Sequence, residues 1–107
     1  MPTQNELYLA VLPLIHISVN QALGFGLTEQ TLASHHAIVS LMEELQAMDW
    51  YRQRADDCDD AELKAVLLHN MNDEMEHAAM IIEWLRRNVA EFATQLDKFL
   101  GTKDPIA

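Results

Sequence analysis

The whole stretch from Leu27 to Leu100 contains neither glycine nor proline, although the 107-residue chain has three of each. These two residue types weaken a helix interior more than any others, so their absence over such a length predicts long helices. Half of the residues are hydrophobic, which is enough apolar surface to offset the entropy of ordering a chain of this size. We therefore expect a folded all-α protein.

An acidic run, Asp56–Asp60, divides this stretch near its middle. Aspartate competes with the helical backbone for hydrogen bonds, yet it caps a following helix well. We therefore predict an antiparallel hairpin of two helices, at about Thr28–Asp56 and Asp60–Asn88. A short C-terminal helix at about Val89–Leu100 is expected to follow and to end at Gly101.

The segment 1–26 forms an N-terminal arm whose pattern is ambiguous. Ile15, Ile17 and Val19 alternate with polar residues as in a strand, whereas the segments on either side of Pro13 fit short helices. Both interpretations stay open, and the helical domain is placed at residues 27–107.

The chain is strongly acidic, with a net charge of -10. Such a field repels nucleic-acid phosphates and anionic lipids and concentrates cations. The sequence contains no run of about 18 apolar residues, which a membrane span requires. Its single cysteine, Cys58, excludes an internal disulfide. We expect no nucleic-acid or membrane partner, and a cytoplasmic location.

Both long helices carry ionisable residues within an otherwise apolar stripe. The predicted stripe of the first helix is Ala33, Ala37, Leu41, Glu44, Met48, Tyr51 and Ala55, and that of the second is Leu63, Val66, Leu67, Asn70, Glu74, His77, Ile81, Trp84 and Leu85. A buried carboxylate without a partner costs several kcal/mol. A bound metal ion is the simplest compensation for Glu44, Glu74 and His77.

The register of the hairpin supports a metal site. Glu44 precedes Cys58, the middle of the turn, by nearly the same sequence distance as Glu74 follows it, so the two helices bring both glutamates to a similar height. Glu74 and His77 also form a Glu-x-x-His motif, which helix bundles use to hold pairs of iron or manganese ions. A complete site needs four helices, and this chain supplies half. We therefore predict a homodimer that shares a di-iron site between two chains.

The residues around these positions resemble the encapsulated ferritin family over roughly residues 28–106. The resemblance is carried by the segments His36–Leu45, Ala47–Tyr51, His69–Asn70, Asp73–Met80 and Glu83–Asn88. It implies a two-helix half-ferritin that dimerises into a ferritin-like four-helix bundle. It further implies a ring-shaped decamer inside an encapsulin shell, with iron storage left to the shell.

The resemblance also assigns roles to individual residues. It implies that Glu44, Glu74 and His77 are the ferroxidase ligands, with Glu74 bridging the two ions, and that Trp50 and Tyr51 lie close to the centre. Tyr51 is a candidate catalytic residue through a hydrogen bond to a metal-bound carboxylate. The family's outer metal-attracting positions fall on Glu43, Gln46, His69 and Asp73.

Two departures from the family pattern bear on these roles. Gln46 stands where the family commonly has an acidic residue, so the outer site is expected to be weaker or differently placed. The family's C-terminal encapsulin-targeting extension does not follow Asp104–Ala107 in this sequence, which leaves open whether the protein is encapsulated.

Three functions fit the sequence. The first is a ferroxidase that oxidises Fe(II) to Fe(III) with dioxygen for iron storage or detoxification. The second is a non-catalytic dimeric module that binds iron, manganese or zinc, and the third is a structural hairpin. Smaller choices also stay open. His69 and Asp73 fit a second ion or an ordinary surface pair, and the methionines of the two helices fit adaptable interface filler.

Overall fold

The computed structural model of the protein describes residues 26–107, so the predictions for the N-terminal arm before Gly26 lie outside it. Within this range the chain forms three helices, α1 (Glu29–Asp56), α2 (Ala61–Asn88) and α3 (Ala90–Phe99), and no strand. The all-α prediction is confirmed, and each predicted helix end agrees with the structure to within one residue.

Side-chain caps explain where the two long helices begin. The Thr28 side chain accepts a hydrogen bond from the Thr31 backbone N–H at 3.1 Å, and Asp60 accepts one from the Leu63 N–H at 2.8 Å. Both residues satisfy a backbone donor that the first turn leaves without a helical partner. Thr28 and Asp60 are therefore N-caps rather than first helical residues.

The two long helices run antiparallel along their whole length. At one end, the Gln30 side chain donates to the backbone carbonyl of Asn88 at 2.8 Å. Near the middle, Nδ1 of His77 lies 3.4 Å from Oε2 of Glu44. These contacts fix the register of the hairpin. The short helix α3 folds back beside the end of α2, where Arg86 reaches Asp97 at 3.7 Å.

The core of the described chain is small. Its buried hydrophobic residues are Ala55 on α1 and Met71, Ala78 and Leu85 on α2. The three α2 residues recur every seven positions, which is the spacing of a single seam between two helices. None of the polar or charged side chains in residues 26–107 is buried.

The buried face of α2 differs from the predicted stripe. Met71 and Ala78 were not part of that stripe, whereas its members Leu63 and Val66 are each 50% exposed. The α2 helix has two apolar faces, and only one of them meets α1. A single hairpin has one helix–helix seam, so the face beside the seam stays open to solvent.

Glu44, Glu74 and His77 lie on this open side of the seam. Their side chains are 25%, 22% and 50% exposed. The case for a bound cation therefore depends on how these groups converge and not on burial within one chain. No helix in residues 26–107 is long and apolar enough to cross a membrane.

Candidate metal centre

Three ionisable side chains converge midway along the hairpin. Nδ1 of His77 lies 3.4 Å from Oε2 of Glu44 and 3.6 Å from Oε2 of Glu74. One ligand atom from each of the three residues lies within 4.8 Å of the others. Glu74 and His77 meet because residues three apart lie on one side of a helix, and the antiparallel register brings Glu44 of α1 opposite them. We call this group the acidic cluster.

The acidic cluster attracts positive charge. A hydrogen bond shared with Glu44, partial removal from solvent and the Glu44 charge together raise the pKa of Glu74, against the opposing effect of His77. Desolvation alone lowers the pKa of His77, but the two carboxylates outweigh it and raise that pKa above its usual value. Both shifts show that the folded chain favours an added proton at this point, and a metal ion satisfies the same demand.

The donor set fits a divalent first-row metal ion. Two carboxylates and one imidazole are ligands that iron, manganese and zinc all accept. With metal–ligand bonds of about 2.1 Å, neighbouring ligands of an octahedral ion lie roughly 3 Å apart. The distances between ligand atoms in the acidic cluster are slightly longer than this. Small side-chain movements would therefore allow the three residues to coordinate one ion. Three ligands leave the coordination of such an ion incomplete.

The predicted outer residues do not join the acidic cluster. Nε2 of His69 lies 3.4 Å from Oδ2 of Asp73 in an exposed pair one turn apart on α2, a geometry that fits both the surface pair and a second ion. Glu43 is half-buried on α1. Its partial burial and then the charge of Glu44 raise its pKa, so this carboxyl group keeps its proton more readily than an exposed glutamate does. Gln46 is half-buried one turn further on.

Trp50 and Tyr51, which are predicted to lie near the centre, both contact the side chain of Arg54. The Arg54 guanidinium carbon lies 5.7 Å from the ring centres of both Trp50 and Tyr51, at the distance of a cation–π contact. Tyr51 follows Glu44 by seven residues, or roughly 10 Å along α1. Within residues 26–107 no hydrogen bond joins its hydroxyl to the acidic cluster. Its catalytic role therefore stays a prediction.

The sequence interpretation overlooked Arg54 and a second group of charges. Glu83 binds Arg86 at 2.7 Å and Arg87 at 2.6 Å, and these contacts lower the pKa of Glu83 to about 2. The spacing of three and four residues along a helix is the signal that predicts all of these contacts. They stabilise the ends of α1 and α2 rather than the site itself.

An all-helical hairpin that brings a glutamate and a Glu-x-x-His pair together has half of the ligand arrangement that ferritin-like proteins use. The chain belongs to the EncFtn-like family, because the sequence model of that family matches residues 23–103. The resemblance to encapsulated ferritins is thereby confirmed.

Individual relatives agree with this assignment. The chain is 56% identical over 80 residues to the encapsulated ferritin-like protein of Rhodospirillum rubrum, and the match covers 75% of this chain and 57% of the relative. It is 46% identical over 70 residues to a ferritin-like protein of Thermotoga maritima, covering 65% and 61%. The match thus spans about six tenths of each relative's length.

A solved structure shows the same fold. The crystal structure of protein ne0167 from Nitrosomonas europaea has a TM-score of 0.73 to this chain and is 51% identical to it. The similarity covers 76% of this chain and 89% of that one.

Proposed function

We propose that this protein is a ferroxidase that oxidises Fe(II) to Fe(III) with dioxygen at a di-iron centre shared by two chains, in the service of iron storage or detoxification. The observation that carries the proposal is the convergence of Glu44, Glu74 and His77 on the open side of one hairpin. Membership of the EncFtn-like family supports it. Fe(II) is the substrate, and each ion gives up one electron to dioxygen.

Each residue of the acidic cluster has a part in this chemistry. Carboxylate oxygens favour Fe(III) over Fe(II) because the harder, more highly charged ion gains more from anionic oxygen ligands. In our proposal Glu74 bridges the two ions, while Glu44 and His77 are terminal ligands. The imidazole of His77 binds only after it loses its proton, so the site takes up iron in exchange for protons.

A dimer completes the site. One chain supplies two carboxylates and one imidazole, and the same three groups from a two-fold partner make the six ligands that a di-iron bundle uses. The exposed apolar residues Leu63, Val66 and Trp84 lie on the same side of α2 as His77. A partner that covers this face would bury them along with the acidic cluster.

A second uncovered apolar strip supports assembly beyond the dimer. Ile38, Met42 and Leu45 are 47%, 50% and 42% exposed on α1, roughly 130° around the helix from Glu44. Two different apolar faces on one chain allow contacts with two neighbours, as in the decameric ring that we propose. We also propose a cytoplasmic location within an encapsulin shell, as the name of the Rhodospirillum rubrum relative suggests for that protein.

The test is aerobic oxidation of excess Fe(II), followed by ferric absorbance, for the wild type beside Glu44→Gln and His77→Ala. We expect repeated turnover in the wild type and a rate close to the buffer blank in both variants. Glu76→Gln is the matched control, because Glu76 lies between Glu74 and His77 in sequence but outside the acidic cluster. It should keep the wild-type rate.

The other outcomes separate the rival functions. Iron bound by the wild type without turnover would favour the non-catalytic metal-binding module. A protein that binds no metal would favour the structural hairpin. A monomer in solution that still oxidises iron would contradict the shared centre, and native mass measurements in the presence of Fe(II) test that point.

A further inference from the structure

A groove lies where the start of α1 meets the junction between α2 and α3. We call it the junction groove, and its lining includes Gln30, Ser34, Ile38, Asn88, Val89 and Ala90. Among the described residues that line it, only Glu91 is charged. Its volume of about 460 Å³ is within the range of pockets that hold organic ligands, so it has room for several side chains.

The junction groove contains two kinds of group that need a partner. Ile38 is apolar but 47% exposed. The first turn of α3 has backbone N–H groups without helical acceptors, and no side chain within residues 26–107 caps them. Thr28 and Asp60, in contrast, cap the two long helices. A segment of polypeptide would supply both an apolar neighbour, through its side chains, and acceptors, through its backbone carbonyls.

The sequence just before α1 has the composition of such a segment. Residues 14–25 contain no aspartate, glutamate, lysine or arginine, although 22% of the whole chain is charged. Their apolar members include Ile15, Ile17 and Val19, and burial of such side chains is favourable. The match to the EncFtn-like family begins at residue 23. The family fold therefore gives no place to most of this segment.

The geometry of the chain allows this segment to reach the junction groove. Gly26 has a φ of 67°, a left-handed conformation that turns the chain just before α1 and that glycine adopts without strain. The α1 side of the groove, from Gln30 to Ile38, is roughly 12 Å long. The twelve residues 14–25 span roughly 18 Å as a helix and more as a strand. Both conformations that the sequence leaves open are therefore long enough.

We propose that residues 14–25 pack into the junction groove of their own chain, with apolar side chains against Ile38 and backbone oxygens facing the first turn of α3. A neighbouring chain is the rival occupant, because Ile38 also begins the apolar strip of α1. A segment joined to α1 by a short connection competes at an effective concentration in the millimolar range. Met42 and Leu45, one and two turns further along α1, stay available to the neighbour. The proposal is independent of the iron centre.

Photo-cross-linking of the full chain identifies the occupant. A benzophenone is attached to the cysteine of a Glu91→Cys, Cys58→Ser variant, and a small fraction of these chains is refolded with isotope-labelled Cys58→Ser chains. We expect cross-links to residues 14–25 of the same, unlabelled chain. Glu62→Cys is the matched control, because Glu62 is also an exposed glutamate in the first turn of a helix but lies about 39 Å from Asn88 along α2. It should give few such cross-links.

Two results of this experiment would overturn the proposal. Cross-links from position 91 to an isotope-labelled chain would make the junction groove an interface between copies. Equal yields of cross-links to residues 14–25 from positions 91 and 62 would show that the segment has no fixed place on the helices.

Amide hydrogen exchange is an independent test. The N–H groups of residues 90–92 have no helical acceptor, so we expect residues 14–25 to protect them. Ile17→Asp should displace the segment and speed their exchange by at least about tenfold. Leu9→Asp, the same kind of change outside the segment, should leave the wild-type rate. Exchange near the buried Ala78 should be unchanged in both variants, which verifies folding. Equal rates at residues 90–92 in the two variants would contradict the proposal.

Discussion

Nδ1 of His77 lies 3.4 Å from Oε2 of Glu44, although 33 residues of sequence separate them. This contact joins the middle of α1 to the middle of α2 on the open side of their seam. Because Glu74 reaches the same imidazole at 3.6 Å, one histidine holds two carboxylates that would otherwise repel each other. The hairpin thus brings three potential ligand groups of one metal site together.

We expect metal binding to depend on these residues together rather than additively. Glu44→Gln and His77→Ala should each weaken Mn(II) binding by at least about tenfold, the effect that even outer-shell partners of a metal have. The double variant should lose far less than the product of the two single effects, because either change already dismantles the site. Isothermal titration with Mn(II) measures all four proteins. Independent, multiplying losses would show that the two residues do not share an ion.

Metal binding should release protons and strengthen as pH rises. The pKa of His77 and the pKa of Glu74 are both raised, so each group holds its proton to a higher pH in the folded metal-free chain than in an unfolded one. A metal ion displaces these protons, and its affinity should therefore fall as pH drops below the raised pKa of His77. Titration in two buffers of different ionisation enthalpy counts the protons released. His77→Ala should release fewer, and an unchanged count would contradict this prediction.

The same pKa shifts should make the metal-free protein less stable as pH rises, whereas metal affinity increases with pH. A raised folded-state pKa contributes stability that is complete below the unfolded-state value and is lost as pH rises through the folded-state value. The acidic cluster should therefore lower the thermal unfolding midpoint of the metal-free protein as pH rises above the ordinary pKa of histidine. Glu44→Gln removes the charge that raises both pKa values, so it should flatten this dependence. An equally steep decline in the variant would assign it to other groups.

Much of this fold and site follows from local rules. The absence of glycine and proline between Leu27 and Leu100 and the caps Thr28 and Asp60 determine the helices. Helical periodicity and similar distances from the turn bring Glu44 opposite Glu74. The sequence alone could not tell which apolar face of α2 meets α1, because a helical wheel shows that a face is apolar but not what covers it. Met71 and Ala78 are buried between α1 and α2, whereas Leu63 and Val66 are each 50% exposed.

The Glu83 charges should stabilise the end of α2 at neutral pH. Arg86 and Arg87 lower the pKa of Glu83 from an ordinary value of 4.5 to about 2. A depressed pKa contributes stability above the unfolded-state value and loses it as pH falls toward the folded-state value. Glu83→Gln should therefore lower the unfolding midpoint above pH 4.5, with the difference shrinking between pH 4.5 and 2. High salt should reduce the effect, and Glu76→Gln should show no such pH window.

Stability of the hairpin itself should depend on the seam. Leu85 is 2% exposed and completes the seven-residue series with Met71 and Ala78. Leu85→Ala removes buried methyl groups and leaves a cavity in a core with few other residues, so it should cost about 2–5 kcal/mol of unfolding free energy. Leu100→Ala, at a position 63% exposed, is the matched control and should change it by less than about 1 kcal/mol. Urea unfolding at one protein concentration compares the two. Equal losses would mean that contacts between chains, and not the α1–α2 seam, hold the fold together.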